Sequence, residues 1–340
     1  MKKLILLCAL SFGISLAHKK ASLGAFDGFV DRMGTGAHEL SRGNTGSADT
    51  AALPGAYWNP AILAFKNHFH YSLHAEKRDL DRSGGSLGLD TRIGKRMGIG
   101  FAMLYRGDFH FDVINDDDET LGEARPYFTM MHLGFAYRLS RLDAIGISFS
   151  MSYDNLDLAS YYQDIQLVDA FQSPISFNLG WIRQWNSKWS SSVVIRNLSF
   201  NKNLSATWTR NPSIDNSVIS THGFRPKALQ VGLGYRSQIF SKPVSAWLEA
   251  IDYQIADTLL AFDPDRHVWT ARIGFDLEAI PKGRISVGMD GLQFSAGLGY
   301  QLDLRIAKKI YPIDLSYALL YESNVQLWSP LSFTIRGNFP

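Results

Sequence analysis

The stretch RISVGMDGLQFSAGLGYQLDL (residues 284–304) decides the fold. In its first half Ile285, Val287 and Met289 alternate with small or polar residues, and the same alternation resumes after the hairpin dipeptide Asp290-Gly291. Strict alternation of apolar and polar residues is the pattern of a β-strand with two different faces. The stretch therefore predicts two antiparallel strands joined by a tight turn.

The same alternation recurs along most of the chain and predicts about fourteen strands. Prolines agree with this assignment, because they fall at or just before predicted strand starts, where a missing N–H is tolerated. The predicted strands lie near residues 67–78, 84–94, 96–106, 125–139, 143–155, 173–185, 189–200, 225–238, 243–255, 267–279, 283–290, 292–304, 310–322 and 331–339.

About fourteen strands with one apolar and one polar face do not fit a common water-soluble fold. After residue 17 there is no run of eighteen apolar residues, so no transmembrane helix is expected. A soluble β-sandwich or lipocalin-like barrel also alternates, but it would leave strands over. Hydrocarbon offers the backbone no hydrogen bonds, so membrane strands must close on themselves. We predict an all-β, transmembrane, antiparallel up-and-down β-barrel of about 14 strands in a bacterial outer membrane, surrounded by lipids and lipopolysaccharide.

The connections between the predicted strands orient the chain. Short ones alternate with mostly longer ones, and outer-membrane barrels have short periplasmic turns and longer external loops. Both chain ends are then expected in the periplasm. One predicted external loop contains INDDDET (residues 114–120), which could bind calcium or cation-bridged lipopolysaccharide. A solvated loop is the favoured interpretation, because the run lacks the spaced ligands of a calcium loop.

The N-terminal part divides into two segments before the barrel. Residues 1–17 have the basic start, apolar core and small C-terminal residues of a signal peptide, and they contain the only cysteine, Cys8. Residues 18–66 lack alternation and are expected to fold back as a plug, because a barrel this wide is not filled by its own side chains. Residues 67–340 form the predicted barrel. The formal net charge of +2, without a basic block, argues against nucleic-acid binding.

One stretch of the predicted plug resembles a known family. GAHELSRGNTGSADTAALPGAYWNPAIL (residues 36–63) resembles the N-terminal signature of PorV/PorQ proteins, relatives of the FadL-type outer-membrane transporters. Leu53-Pro54 and Ile62 depart from that signature. The residues that fit it are Gly36, Ala37, Leu40, Gly43, Gly46, Ala48, Asp49, Ala56, Tyr57, Trp58, Asn59, Pro60 and Ala61.

The resemblance implies a fourteen-stranded barrel with the N-terminal segment as a luminal hatch. It also implies two functions: handling of secreted cargo proteins in type IX secretion, as in PorV-like members, or transport of hydrophobic small molecules, as in FadL-like members. We take secretion as the first hypothesis, hydrophobic transport as the alternative, and a structural porin as the third. For Asn59-Pro60 a structural turn is favoured over a transport gate, because Asn and Pro together fix a turn.

Several charged residues in the polar register are candidates for lining the lumen. His68, His70 and His74 share this register with Glu76 and could hold a metal, but pore-lining residues are the favoured interpretation. Neither a metal nor a cofactor is therefore predicted. The other candidates are Arg272, Asp276, Arg284 and Asp290.

An outer-membrane phospholipase is the enzymatic alternative. It would need a serine beside a histidine and an orienting Asn or Asp at the lipid boundary. Many serines of this chain alternate simply as small luminal residues, and no such pairing stands out. We expect a non-enzymatic protein.

Overall fold

The strands account for most of the described chain. The computed structural model describes residues 33–78, 82–107, 111–114, 120–125, 127–155, 170–172, 175–198, 205–209, 218–222, 227–254, 267–291, 293–306, 309–322 and 327–339. The strands within these ranges are β1 (Phe69–Lys77), β2 (Ser83–Ile93), β3 (Met97–Gly107), β4 (Phe111–Ile114), β5 (Thr120–Ala124), β6 (Tyr127–Arg138), β7 (Asp143–Asn155), β8 (Ala170–Gln172), β9 (Ser176–Gln184), β10 (Trp189–Leu198), β11 (Ser205–Thr209), β12 (Val218–His222), β13 (Lys227–Ile239), β14 (Lys242–Gln254), β15 (His267–Ile280), β16 (Gly283–Asp290), β17 (Gln293–Ile306), β18 (Lys309–Glu322) and β19 (Leu327–Phe339).

Fourteen of these strands close into one antiparallel barrel. Each pairs with its neighbour along the chain, and the last strand, β19, pairs with β1 from Phe69↔Phe339 to Lys77↔Leu331. The predicted fold class is therefore confirmed, and predicted strand ends agree with the structure to within a few residues. Closure removes both sheet edges, which satisfies every ladder without help from solvent.

Five short strands lie outside the barrel count. β4 pairs with β5 and β11 with β12 as separate two-stranded ladders, and β8 extends β7 beyond its pairing with β9. The sequence interpretation had left these segments as external loops without strands. They are too short for the alternation of a membrane strand, which needs about ten residues.

Strand β19 begins earlier than its sequence predicts. The prediction started it at residue 331, after Pro330, because proline cannot donate to a ladder. In the structure the strand runs from Leu327, and the pairing with β18 shifts between Ala318↔Ser332 and Leu320↔Ser329. A bulge at this point lets the chain pass the proline and resume pairing.

The barrel faces lipid with its apolar register. On the β16–β17 hairpin, Leu298 is 61% and Ile285 46% exposed, whereas Ser286 on the opposite face is only 2% exposed. Exposed leucines with buried serines are the inverse of a water-soluble protein and are expected when hydrocarbon is the solvent. Within the described residues, no helix is both long and apolar enough to cross a bilayer.

Candidate functional site

Residues 33–66 lie inside the barrel and form what we call the plug. The plug contains two short helices, α1 (Ala37–Ser41) and α2 (Gly55–Trp58), and a 3₁₀ helix, η1 (Pro60–Phe65). Helix α1 contacts strands β16–β19, whereas α2 and η1 contact β2, β3 and β6, and η1 also reaches β7 and β9. The plug thus touches opposite walls of the barrel with different segments.

The first part of the plug, residues 36–49, is held by charges against β13–β19, and we call this contact the ionic side. At its centre Arg42 is completely buried and binds the Asp49 carboxylate at 2.7 Å. The Arg42 guanidinium also lies 3.6 Å from Asp276 of β15 and 4.0 Å from the ring centroid of Trp247 on β14. Arg42 therefore joins the plug to the wall through both charge and a cation–π contact.

Further hydrogen bonds and ion pairs continue the ionic side around the wall. His38 Nε2 lies 2.8 Å from Asp276, and Ser286 donates to the same carboxylate at 2.6 Å. On the other side of α1, Arg336 of β19 lies 3.3 Å from Glu39. Near the β13–β14 turn Arg236 donates to Asp49 at 2.6 Å. Buried charges that are paired in this way avoid the large cost of isolated ones.

The titratable groups of the plug respond to these neighbours. Burial would raise the pKa of Asp49, but Arg42 and Arg236 outweigh it and hold that pKa well below its ordinary value. Burial, followed by the positive charges of Arg284 and Arg42, lowers the pKa of His38 well below its usual range. At neutral pH, Asp49 is therefore charged and His38 is neutral.

One carboxylate of the wall receives the plug backbone. Glu249 of β14 is fully buried and accepts hydrogen bonds from the N–H groups of Gly46 at 2.9 Å and Ser47 at 2.7 Å. The Ser47 hydroxyl donates to the same oxygen, and the Gln230 amide donates to the other oxygen at 2.6 Å. A carboxylate that accepts several N–H groups fixes the position of that backbone segment.

The second part of the plug, Ala56–Ala64, packs through apolar groups, and we call this contact the apolar side. Tyr57, Trp58, Ile62 and Leu63 are almost completely buried. They form one cluster with wall residues whose side chains point inward, Ala102, Leu104, Met130, Ala136, Ala144 and Ile182. One ion pair interrupts this side, where Lys66 Nζ lies 3.9 Å from Asp90 and Gly55 N–H donates to Asp90 at 2.7 Å.

Glycines in the wall let the plug approach the strands. A Cβ added at Gly146 of β7 would collide with the Pro60 carbonyl group, and one at Gly288 of β16 would collide with the Arg42 backbone. In both cases the obstacle is backbone and not a flexible side chain end. These two luminal glycines therefore allow close packing of the plug.

The residues of the N-terminal signature hold the plug in its conformation. Gly36 and Gly43 have φ angles of 87° and 72°, which favour glycine. Ala37 N–H donates to Thr334 of β19 at 2.7 Å, and Gly43 N–H donates to Ser295 of β17 at 2.9 Å. Gly46 lies against the ring of Trp58, where a Cβ would be 2.6 Å from the indole.

The Asn59-Pro60 pair lies between α2 and η1. Asn59 Oδ1 accepts from Ala61 N–H at 3.0 Å and caps η1, while Pro60 occupies the first helical turn. Asn59 Nδ2 donates to the Ser47 carbonyl at 2.9 Å and therefore ties the two parts of the plug together. These contacts are those of a structural turn.

Six of the eight predicted luminal residues form ion pairs. Glu76 lies 3.0 Å from Arg106, 3.2 Å from Arg78 and 3.4 Å from His74. Arg272 binds Asp290 at 3.0 Å and Arg284 binds Asp314 at 3.1 Å.

The remaining two luminal candidates, His68 and His70, lie apart from these pairs. His68 is exposed just before β1, and His70 is half-buried. Across the described ranges no group of three His, Cys, Asp or Glu side chains could hold a metal ion.

The sequence interpretation missed several residues of the site. Arg42, Glu249, Arg336 and Arg196 were not singled out. Arg196 of β10 donates to the Tyr57 and Trp58 carbonyls at 2.7 Å each and anchors the end of α2. In the sequence these residues are visible only as charged or polar-register positions of the strands or the plug. That position alone does not reveal which residue each one contacts.

A second apolar patch lies on the luminal side, at the end of β13–β15 that is opposite the β13–β14 turn. Ala228, Ile251 and Tyr253 are buried there in the inward-facing register, and Val268 packs against them. The lumen of this barrel is thus not uniformly polar, as it would be in a water-filled porin.

Comparison with solved structures agrees with this geometry. The toluene transporter TbuX of Ralstonia pickettii matches at 14% identity with a TM-score of 0.58, over 90% of this chain and 99% of that chain. The toluene transporter TodX of P. putida matches at 12% identity with a TM-score of 0.59, over the same shares. A Pseudomonas aeruginosa FadL homologue matches at 11% identity with a TM-score of 0.50, over 90% and 98%. The chain has the FadL-type barrel fold.

The likeness concerns the fold alone, because all three identities are low. No protein-family model and no curated protein matches the sequence. The narrower resemblance to PorV/PorQ proteins stays a prediction, as does the signal peptide. The neighbours are described as transporters or as a FadL homologue, which agrees indirectly with the expectation of a non-enzymatic protein.

Proposed function

We propose that the protein lies in the outer membrane and transports hydrophobic small molecules along the apolar side of its plug. This was the alternative hypothesis from sequence, and the similar structures support it better than type IX secretion, because two of them are toluene transporters. The observation that carries the proposal is the cluster of inward-facing apolar wall residues beside the plug, including Leu104, Met130 and Ile182.

The physical argument is that apolar contacts are non-directional. An apolar solute that passes beside Tyr57 and Trp58 exchanges one apolar contact for another and leaves no hydrogen-bonding group unpaired. A solute on the ionic side would separate Arg42 from Asp49 and Asp276, and an unpaired buried charge is very costly. The apolar side is therefore the path of lower free energy for a hydrophobic compound.

Two adjacent methionines provide a matched test. Met130 points into the lumen and is 2% exposed, whereas Met131 points towards lipid and is 38% exposed. Met130→Gln keeps the size of the side chain but places an amide on the path, so we expect uptake of a hydrophobic compound to fall about tenfold, equivalent to ~1.4 kcal/mol. The measurement is influx of radiolabelled toluene into cells that express the protein, normalised to folded protein.

Met131→Gln is the control and should leave influx per folded barrel unchanged. Toluene influx no greater than that of cells without the protein would contradict the proposal. Capture of secreted proteins by the tagged protein, together with absent influx, would instead support the secretion hypothesis.

A further inference from the structure

The lipid-facing wall of β15–β19 has a depression near its periplasmic end. It encloses about 440 Å³, a volume in the range of small-molecule sites. One end lies at the β15–β16 turn, where Ile280 packs over Gly283 and the strand pairing shifts between Leu277 and Ile280. Its walls are mostly the outward side chains Ile285, Leu298, Tyr300, Leu315, Tyr317 and Phe333.

The depression runs obliquely across neighbouring strands. Ile285 pairs with Leu298, Leu298 pairs with Tyr317, and Tyr317 pairs with Phe333, so these side chains form one row on the outer surface. The ladders β15–β16, β16–β17 and β17–β18 are hydrogen-bonded behind it. The depression is therefore a groove on the barrel surface, open to the hydrocarbon of the membrane.

Positive charge surrounds the periplasmic end of this groove. Lys282 lies in the turn that bounds it, and Lys242, Arg305 and Lys309 lie at the periplasmic ends of β14, β17 and β18, all of them exposed. Two carboxylates lie among them: Asp303 accepts from Lys282 Nζ at 2.6 Å, and Glu278 accepts from the Lys282 backbone N–H at 3.3 Å. Four cations against two carboxylates leave an excess of positive charge at the level of lipid headgroups.

We propose that this groove binds an anionic phospholipid of the periplasmic leaflet. An acyl chain lies along the row from Ile285 to Phe333, and the phosphate lies at the rim beside Lys282 and Lys309. The apolar walls match hydrocarbon, and the excess of cations matches a negatively charged headgroup. The site lies on the outer surface and is separate from the transport path beside the plug.

Native mass spectrometry of the purified protein in a neutral detergent tests the proposal. The protein is titrated with phosphatidylglycerol or with phosphatidylcholine of the same acyl chains, and retained lipids are counted. We expect one phosphatidylglycerol to be retained at about one-tenth of the phosphatidylcholine concentration. The double variant Lys282→Gln/Lys309→Gln should abolish this preference, while Leu298→Trp, which fills the groove, should weaken binding of both lipids.

Matched variants elsewhere on the barrel serve as controls. Leu133→Trp adds the same bulk to an outward position on β6, and Lys188→Gln removes an exposed lysine from the β9–β10 turn. Both should retain wild-type lipid binding. Equal retention of the two lipids by the wild-type protein, or an equal loss in the control variants, would overturn the proposal. A dimer that Leu298→Trp abolishes would assign the groove to a second copy of the chain and overturn it as well.

Discussion

The two sides of the plug meet the same barrel by different physics. On the ionic side, residues 36–49 depend on Arg42, on Glu39 and Asp49, and on wall groups such as Glu249, each with directional contacts. On the apolar side, Tyr57, Trp58 and Leu63 depend on close packing against small and aliphatic wall residues. The directional contacts of the ionic side hold the plug in one position. On the apolar side, another apolar molecule can replace a packing neighbour at little cost.

In the function that we propose, this difference lets one segment occupy the barrel and still permit transport. Directional, buried charge pairs are strongly destabilised when one partner is removed. Apolar surfaces lose little when another apolar molecule replaces their neighbour. The comparison therefore predicts a fixed anchor on one side and a permeable contact on the other.

The largest effect should come from Arg42, the centre of the ionic side. Arg42→Met keeps much of the volume but leaves Asp49 and Asp276 without their shared cation, so we expect a loss of about 3–5 kcal/mol in the stability of the seated plug. Planar-bilayer recordings should then show an ion conductance that the wild-type protein lacks. Arg141→Met, on the exposed β6–β7 turn, is the control and should not raise conductance.

A smaller effect is expected on the apolar side from added bulk. Gly146→Val places a side chain where the Pro60 carbonyl group lies, and overpacking of this kind costs about 1–3 kcal/mol. The midpoint of denaturant unfolding should fall accordingly. Ala250→Val adds bulk at an exposed, lipid-facing position of β14 and should leave the midpoint unchanged, and an equal fall in both variants would refute this assignment of the glycine.

Acid should weaken the ionic side through the charge of Asp49. Because its pKa in the seated plug is held below the ordinary value of about 3.9, its contribution to stability is present above that pH and is lost as pH falls through the lower pKa. Asp49→Asn should therefore be less stable than wild type at pH 7. The gap between their denaturation midpoints should narrow below pH ~4, and a gap that widens there would contradict the ionic assignment.

The sequence predicted the barrel well because a membrane strand repeats a simple local rule. Residues 143–155 and 283–290 were assigned with the bounds that the structure has for β7 and β16. Alternation also assigned Asp276 and Arg284 to the lumen. Such an assignment is sensitive to register, because a shift of one residue would turn every side chain of the strand to the other face.

The plug contacts could not be predicted in the same way. Glu39 meets Arg336 across 297 positions of sequence, and Arg42 of the plug meets Asp276 of the distant strand β15. No periodicity encodes such pairs, because the plug is irregular and each contact depends on the final closed shape. For the same reason the alternation identified Gly146 as a small luminal residue, but it did not predict that Gly146 makes room for the Pro60 carbonyl group.

Two engineered disulfides test the central claim most directly, since the only cysteine of the chain, Cys8, lies in the predicted signal peptide. Ala56→Cys/Gly134→Cys joins α2 to β6 on the apolar side. A new Cβ at residue 134 lies 2.9 Å from the Ala56 Cβ, so α2 must move outward by about 1 Å to reach the Cβ separation of a disulfide. Ser47→Cys/Ser192→Cys joins the ionic side to β10, where the two hydroxyl oxygens are 3.0 Å apart. The measurement is toluene influx before and after reduction. We predict that the oxidised apolar-side lock blocks influx until it is reduced and that the ionic-side lock leaves influx intact; the opposite pattern, or influx through both locks, would contradict the account.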